Sequence, residues 1–203
     1  MSGGVDSGSN PWKTMWIRPS GTVGHLVQNR PGHRVLFLAA LAGMSGTLLG
    51  AWMQNLGDSL SVQLVILNAV LVGSLWGIAL LYLGGLLVAW TGKWLDGRGD
   101  GREIRTALAW GSLPAVSALA LWIVAPLFLG DALFTSGGAG TTGAGWALVT
   151  FALALGALSI WSLVLTVSAV GRVQGFSAWK ALGNLGLATA FLVVPVAVVS
   201  SLI

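Results

Sequence analysis

The chain has 203 residues, of which 55% are hydrophobic and only 8% are Asp, Glu, Lys or Arg, where a soluble domain carries roughly 25% charged residues. With 30 glycines, 11 tryptophans and a mean hydropathy of +0.84, this balance excludes an ordinary soluble enzyme and describes a helical integral membrane protein. Cysteine is absent, which excludes disulfides, a thiol nucleophile and a thiolate metal site, and the net charge of +4 comes from basic residues too few and too scattered to suggest nucleic acid.

Residues 1–9 are Gly/Ser-rich and acidic, unlike a cleavable signal peptide, and predict a flexible tail. Residues 10–34 predict a cytoplasmic amphipathic interfacial segment made of two short helices. Asn10 before Pro11 has the form of an N-cap followed by proline at the first helical position, and Trp12, Met15 and Trp16 recur at i, i+3 and i+4 opposite Lys13 and Thr14. Pro19 is expected to stop that turn and Ser20 to cap a second one, in which Val23, Leu26 and Val27 repeat the spacing. The apolar sides would face lipid or the bundle, and the cations the headgroups.

From residue 35 onward, five uncharged runs (35–57, 59–92, 106–130, 132–171 and 181–203) each exceed the ~20 residues that cross ~30 Å of hydrocarbon at 1.5 Å per residue. Trimmed at turn-forming stretches such as the Gly/Thr segment 136–145, they place spans at about 35–54, 62–90, 106–129, 146–170 and 182–203 of a membrane domain covering 35–203. The charges orient it. Lys13, Arg18, Arg30 and Arg34 precede span one; Lys93, Arg98, Arg102 and Arg105 lie between spans two and three; Arg172 and Lys180 lie between four and five. The other connections hold only Asp58 and Asp131, so the positive-inside rule puts the N-terminus in the cytoplasm and Ile203 outside. The expected fold is all-α: a polytopic membrane helical bundle with five transmembrane helices, N-terminus in and C-terminus out, preceded by short interfacial helices.

In the loop KWLDGRGDGREIR (93–105), Asp100 and Glu103 have capping-box spacing and predict the start of the third helix. Gly97, Gly99 and Gly101 follow no strand and make no phosphate cradle. No Asp, Glu, Lys, Arg or His falls inside a predicted span, which argues against a proton-relay transporter. The polar side chains singled out there are Asn68 and Tyr82, with scattered Ser and Thr; a hydrogen bond to a neighbouring helix is the plainest use of Asn68, and the interfacial aromatic belt explains Tyr82. Small residues four apart (Gly46 and Gly50, Gly73 and Gly77, Ala152 and Gly156) predict close helix packing, within the chain or between copies in a homo-oligomer. Pro114, Pro126 and Pro195 should bend their helices. His25 and His33 are the only histidines and sit too far apart to share a turn, so neither a metal nor a cofactor is expected. No nucleophile elbow or buried carboxylate pair points to an enzyme.

Three stretches carry a resemblance. Asn10-Pro11-Trp12-Lys13-Thr14-Met15-Trp16-Ile17-Arg18-Pro19 with the following TVGHLVQNRPGHR, then Ala107-Leu108-Ala109-Trp110-Gly111-Ser112-Leu113-Pro114, then Val173-Gln174-Gly175-Phe176-Ser177-Ala178-Trp179-Lys180-Ala181-Leu182 resemble, in this order, prokaryotic members of the YIP family, the Ypt/Rab-interacting five-span membrane proteins. The resemblance implies a helical bundle with a cytoplasmic N-terminus. For eukaryotic members it implies traffic roles and contact with prenylated small GTPases. With a preceding region of only about 34 residues and no DLYGP-type segment, this chain is not expected to share the GTPase partner, and a bacterial cytoplasmic (inner) membrane is the expected location.

Two functions are weighed. The first is a non-enzymatic scaffold or adaptor whose cytoplasmic face, built from Trp12, Trp16, Arg18, Arg172, Gln174, Phe176 and Trp179, meets a protein partner or membrane lipids, since aromatic and Arg side chains anchor interfaces with little entropy loss. The second is a transporter or lipid-moving protein for a neutral or amphipathic substrate, with Asn68 and the bend at Pro114 bordering a polar path.

Overall fold

The computed structural model describes residues 10–30, 32–137 and 144–201, and among these no strand forms. The expected tail at 1–9 and most of the Gly/Thr stretch at 136–145 lie outside the described residues. Two short helices, α1 (Pro11–Ile17) and α2 (Pro19–Asn29), precede α3 (Val35–Met53). A helix over Val62–Trp94 follows, made of α4 (Val62–Asn68), a π-helical turn at Ala69–Gly73 and α5 (Ser74–Trp94). Next come α6 (Gly101–Gly111), α7 (Leu113–Leu129), α8 (Ala144–Gln174) and α9 (Ala178–Ser201). Among the described residues, five helices are long and apolar enough to cross a membrane: Val35–Met53, Val62–Trp94, Gly101–Leu129, Gly145–Gln174 and Ala178–Pro195. Apart from α6, whose first turns carry Arg102, Glu103 and Arg105, they present apolar side chains around their circumference, as a helix with lipid on one side and neighbours on the other must.

The chain divides into two compact units, the first made of Met1–Leu36, Ala79–Gly111 and Leu163–Ile203, the second of Phe37–Ile78 and Ser112–Ser162. All ten basic residues fall in the first, with four of the six acidic ones; the second holds Asp58 and Asp131 and no cation.

In the first unit, the Asn10 side chain accepts from the Trp12 N–H and Pro11 opens α1. The second cap differs from expectation. Pro19 does not merely end α1: it is the first residue of α2, with Arg18 at the N-cap position making no side-chain cap and Ser20 already inside the helix. Proline's fixed φ and missing N–H suit the first helical position, which left Ser20 no capping role. The apolar sides of both helices, Met15, Val23 and Leu26, are buried, and α2 packs on α6, so the bundle rather than lipid receives them. The capping box forms: Asp100 accepts from the Glu103 N–H at 2.7 Å and the Arg102 N–H at 2.8 Å, while the Glu103 carboxylate accepts from the Asp100 N–H at 3.2 Å.

In the second unit, Trp122 stacks on Phe134 with ring centroids 5.8 Å apart and meets the edge of Phe151 at 5.0 Å; Phe151 in turn meets Trp52 at 5.9 Å. The buried Trp122 indole N–H has no hydrogen-bond partner. The helices approach most closely at Gly43 of α3, where a methyl would run into the Gly73 carbonyl and the Gly77 backbone; a methyl on Gly77 would likewise meet the Ala39 carbonyl. Of the three small-residue pairs in the sequence, one is used within this unit. Gly73 and Gly77 are used, but their partner is the Ala39, Gly43, Thr47 row, while Gly46 and Gly156 have nothing within 4 Å and Gly50 only the Gln54 amide at 3.7 Å. Span three is interrupted at Ser112, between α6 and α7, with the buried Pro114 in the first turn of α7.

Candidate functional site

The predicted surface residues all belong to the first unit, and the structure sorts them into supports and exposed tips. The support begins where α8 ends. Gly175 adopts a left-handed φ of 74°, and the Phe176 N–H returns to the Gly171 carbonyl at 2.8 Å, the bond that closes a Schellman cap. Two residues later the Ser177 hydroxyl accepts from the Lys180 N–H at the start of α9. This tight connection turns Gln174 inward.

Gln174 is buried, so it leaves the candidate surface. Its side-chain carbonyl accepts from the Gly99 N–H and its amide donates to the Val88 carbonyl, both at 3.2 Å, while its own backbone carbonyl accepts from the Arg98 N–H. Gly92 and Gly97 make room: a methyl on either would overlap the Gln174 amide. Beside it the buried Asn184 donates to the same Val88 carbonyl at 3.2 Å, and the Thr91 hydroxyl lies 2.6 Å from its side-chain oxygen. Each amide reaches a partner that water cannot supply, and losing Gln174 strands the Gly99 N–H at a cost of about 1–3 kcal/mol. The network ties α5, the loop before α6, α8 and α9 into one piece. Asn184 went unnoticed in the sequence although it lies inside the predicted fifth span; the signal was a lone amide within an apolar run.

Trp110 makes the second tie. It is fully buried, its indole N–H donates to the His33 carbonyl at 3.2 Å, the His33 ring stacks on it, and Trp12 meets its edge at 5.3 Å. Arg34, held at a φ of 54°, places its guanidinium 5.7 Å over Trp12. Trp12 is therefore half-buried and committed to holding α1 in place. Gly111 next to it admits Thr166 of α8.

The tips differ. Trp179 is 82% exposed, and Ile17 beside Arg18 is 81% exposed. Arg18 and Arg172 are exposed, Trp16 and Phe176 half-buried. Arg172 reaches from α8 to α2, where its Nε lies 3.1 Å from the place a Gly24 methyl would occupy, and the Lys180 ammonium sits 4.9 Å over the Phe176 ring. Asn68 and Pro114 belong to the second unit. Asn68 is exposed at the start of the π turn rather than bonded to a neighbouring helix, and Pro114 is buried. Among the described residues, no group of three or more His, Asp or Glu could hold a metal.

The three sequence stretches singled out above thus hold the ties of the first unit, Trp12 on Trp110 and the Gln174 cap. Over residues 12–200 the chain matches the family model of the Yip1 domain. It belongs to the Yip1-domain family. No curated protein and no solved structure matches it. As a Yip1-domain protein with five apolar helices, it is a multi-pass membrane protein, from a family not known as enzymatic.

Proposed function

We propose that this Yip1-domain protein is a non-enzymatic membrane scaffold or adaptor that recruits or stabilises a protein partner at its cytoplasmic face. The observation that carries the reading is the contrast between a rigid support and open tips: buried Gln174, Asn184 and Trp110 fix the connections, and Trp179, Arg18 and Arg172 stand exposed upon them. Aromatic and Arg side chains on a pre-ordered frame lose little entropy on docking. The gathering of all ten cations in one unit supports an orientation with that unit's loops in the cytoplasm, the N-terminus inside and the C-terminus outside. On this reading residues 10–34 are an interfacial segment and 35–203 the five-span membrane domain. The prokaryotic branch and a bacterial inner membrane suit the sequence resemblance, with lipids as the surrounding partner and a second copy of the chain as another candidate. Crosslinking and pulldown from native membranes test the reading: Trp179→Ala and Arg172→Ala should deplete the captured partner, and an unchanged partner set would remove this surface.

One observation favours the second reading, movement of a neutral or amphipathic substrate. The second unit has a cleft of about 460 Å³ with an apolar wall of Trp52, Leu148 and Val149 and a polar edge of Asn55, Thr135 and Ser136. Asn68 and Pro114 do not line it. Solute-flux and lipid-flip assays in reconstituted liposomes decide this reading, which fails if flux equals that of empty vesicles.

A further inference from the structure

Arg105 stands one turn into α6 and does not extend toward the loop. Its stem lies across α5, with Cγ at Gly85, where a methyl would come within 2.6 Å, so only glycine admits it. Its guanidinium carbon is 4.9 Å from the centre of the Tyr82 ring, and Nη1 is 3.4 Å from where a Gly101 methyl would sit. Tyr82 is the only tyrosine of the chain and is 50% exposed, on a side of α5 that also exposes Leu83 and Leu86. The guanidinium is thus stacked at a surface made for lipid.

Helix lengths set its depth. The helix over Val62–Trp94 has 33 residues, yet ~20 residues cross the hydrocarbon, so a crossing that starts at Val62 ends near Tyr82. The helix over Gly101–Leu129 has 29 residues, and ~20 residues counted back from Leu129 end near Trp110, which leaves Arg105 in the headgroup layer. Stacking fixes one face of the guanidinium and leaves its N–H edges, which need acceptors where water is sparse and where an unsatisfied cation is costly. The nearest carboxylates along α6, Asp100 and Glu103, are engaged in the capping box, and Glu103 lies two residues away on another side of the helix.

We propose that Arg105, held by the Tyr82 ring and the Gly85 gap, seats the phosphate of a membrane phospholipid in the leaflet that borders the basic unit. The planar fork of Arg matches phosphate oxygens, and the aromatic stack presets its orientation. The seat does not depend on the adaptor reading, since no protein partner enters it.

The full chain, purified in detergent, is titrated with phosphatidylglycerol, with diacylglycerol of the same acyl chains, and with inorganic phosphate, and bound lipid is counted by native mass spectrometry. The wild type should retain phosphatidylglycerol over diacylglycerol, with inorganic phosphate unable to displace it. Arg105→Ala should weaken retention about tenfold, and Arg105→Lys and Tyr82→Ala by several-fold, as loss of a charge-assisted bidentate contact or of its stacking partner implies. Arg98→Ala, which removes the same charge from the loop before α6, should leave retention unchanged. Equal retention by Arg105→Ala, an equal loss with Arg98→Ala, equal binding of diacylglycerol, or displacement by inorganic phosphate each overturns the proposal. If Arg105→Ala does not fold, wild-type retention in both Arg105→Lys and Tyr82→Ala overturns it instead.

Discussion

The two units solve the same problem, holding apolar helices together where the hydrophobic effect between helices and lipid is weak, by opposite means. The first unit uses hydrogen bonds at helix ends: Gln174, Asn184 and Thr91 are buried and satisfied, and the indole N–H of Trp110 has the His33 carbonyl. The second uses shape. Gly43 nests on Gly73 and Gly77, an aromatic group packs around Trp122, and the indole N–H of that tryptophan goes without a partner. Polar ties are directional and position loops, whereas close packing is tolerant along the helix and positions little beyond itself. The unit with the directional ties is also the one that carries every cation. Substitutions in the two units should therefore fail in different ways.

The largest effect is expected at Gly43. Gly43→Val puts a branched side chain against backbone that cannot rotate away, so the two helices must part, at about 3 kcal/mol or more. Gly46→Val, three residues on in the same helix, meets nothing within 4 Å and should stay within about 0.5 kcal/mol of the wild type. Thermal unfolding followed by size-exclusion chromatography separates them; similar losses would mean that the Gly43 contact does not hold α3. Trp122→Ala should cost about 3–5 kcal/mol through the cavity it leaves among Phe134, Phe151 and Trp52. Trp122→Phe should cost distinctly less, because it also deletes the unpartnered N–H.

In the first unit, Gln174→Leu keeps most of the volume but strands the Gly99 N–H, and about 2 kcal/mol should be lost. Hydrogen exchange should rise first in the loop 95–100 rather than across the helices, which distinguishes a broken tie from general loosening. Asn184→Leu should cost about 1 kcal/mol, less than Gln174→Leu, because the Val88 carbonyl keeps the Gln174 amide and the Thr91 hydroxyl keeps the Leu87 carbonyl. The double variant should lose more than the sum, since each residue is then the other's remaining partner for Val88. Strict additivity would mean that the two amides do not share this carbonyl.

What was legible in the sequence follows the range of the interaction. The Asn10 cap, the Asp100 and Glu103 capping box and the five apolar helices depend on residues within a few positions of one another, and the chain alone displays them. Gln174 misled because it lies just past the predicted fourth span, in a connection placed at the cytoplasmic face, while the groups it bonds, Gly99 and Val88, lie 75 and 86 residues away. The glycine spacing on α3 was visible, but rows starting at Ala39 and at Gly46 have the same period, and only the neighbouring helix selects between them. Trp110 was noted as part of a motif without a role. Its partner is a backbone carbonyl, which leaves no mark on residue identity. The exposed tips were the part of the candidate surface most readable in advance, because Trp and Arg in a short polar connection are conspicuous whatever they pack against.

The smallest expected effect on stability bears most directly on function. Trp179 is among the most exposed large side chains and sits on the outer side of the α9 start, so Trp179→Ala should change unfolding by no more than about 0.5 kcal/mol. Trp12→Ala removes the edge contact to Trp110 and frees α1, and should be destabilising by about 1–3 kcal/mol. If partner capture falls equally in the two, the docking surface includes α1 as well as Trp179, because α1 is the element that Trp12→Ala displaces. If it falls for Trp179→Ala alone, the connection between α8 and α9 docks by itself and the clamp on Trp110 serves stability. If Trp179→Ala instead lowers membrane retention of a soluble fragment carrying residues 172–182 while partner capture by the full chain is intact, the tryptophan anchors lipid, and the adaptor surface reduces to Arg18 and Arg172.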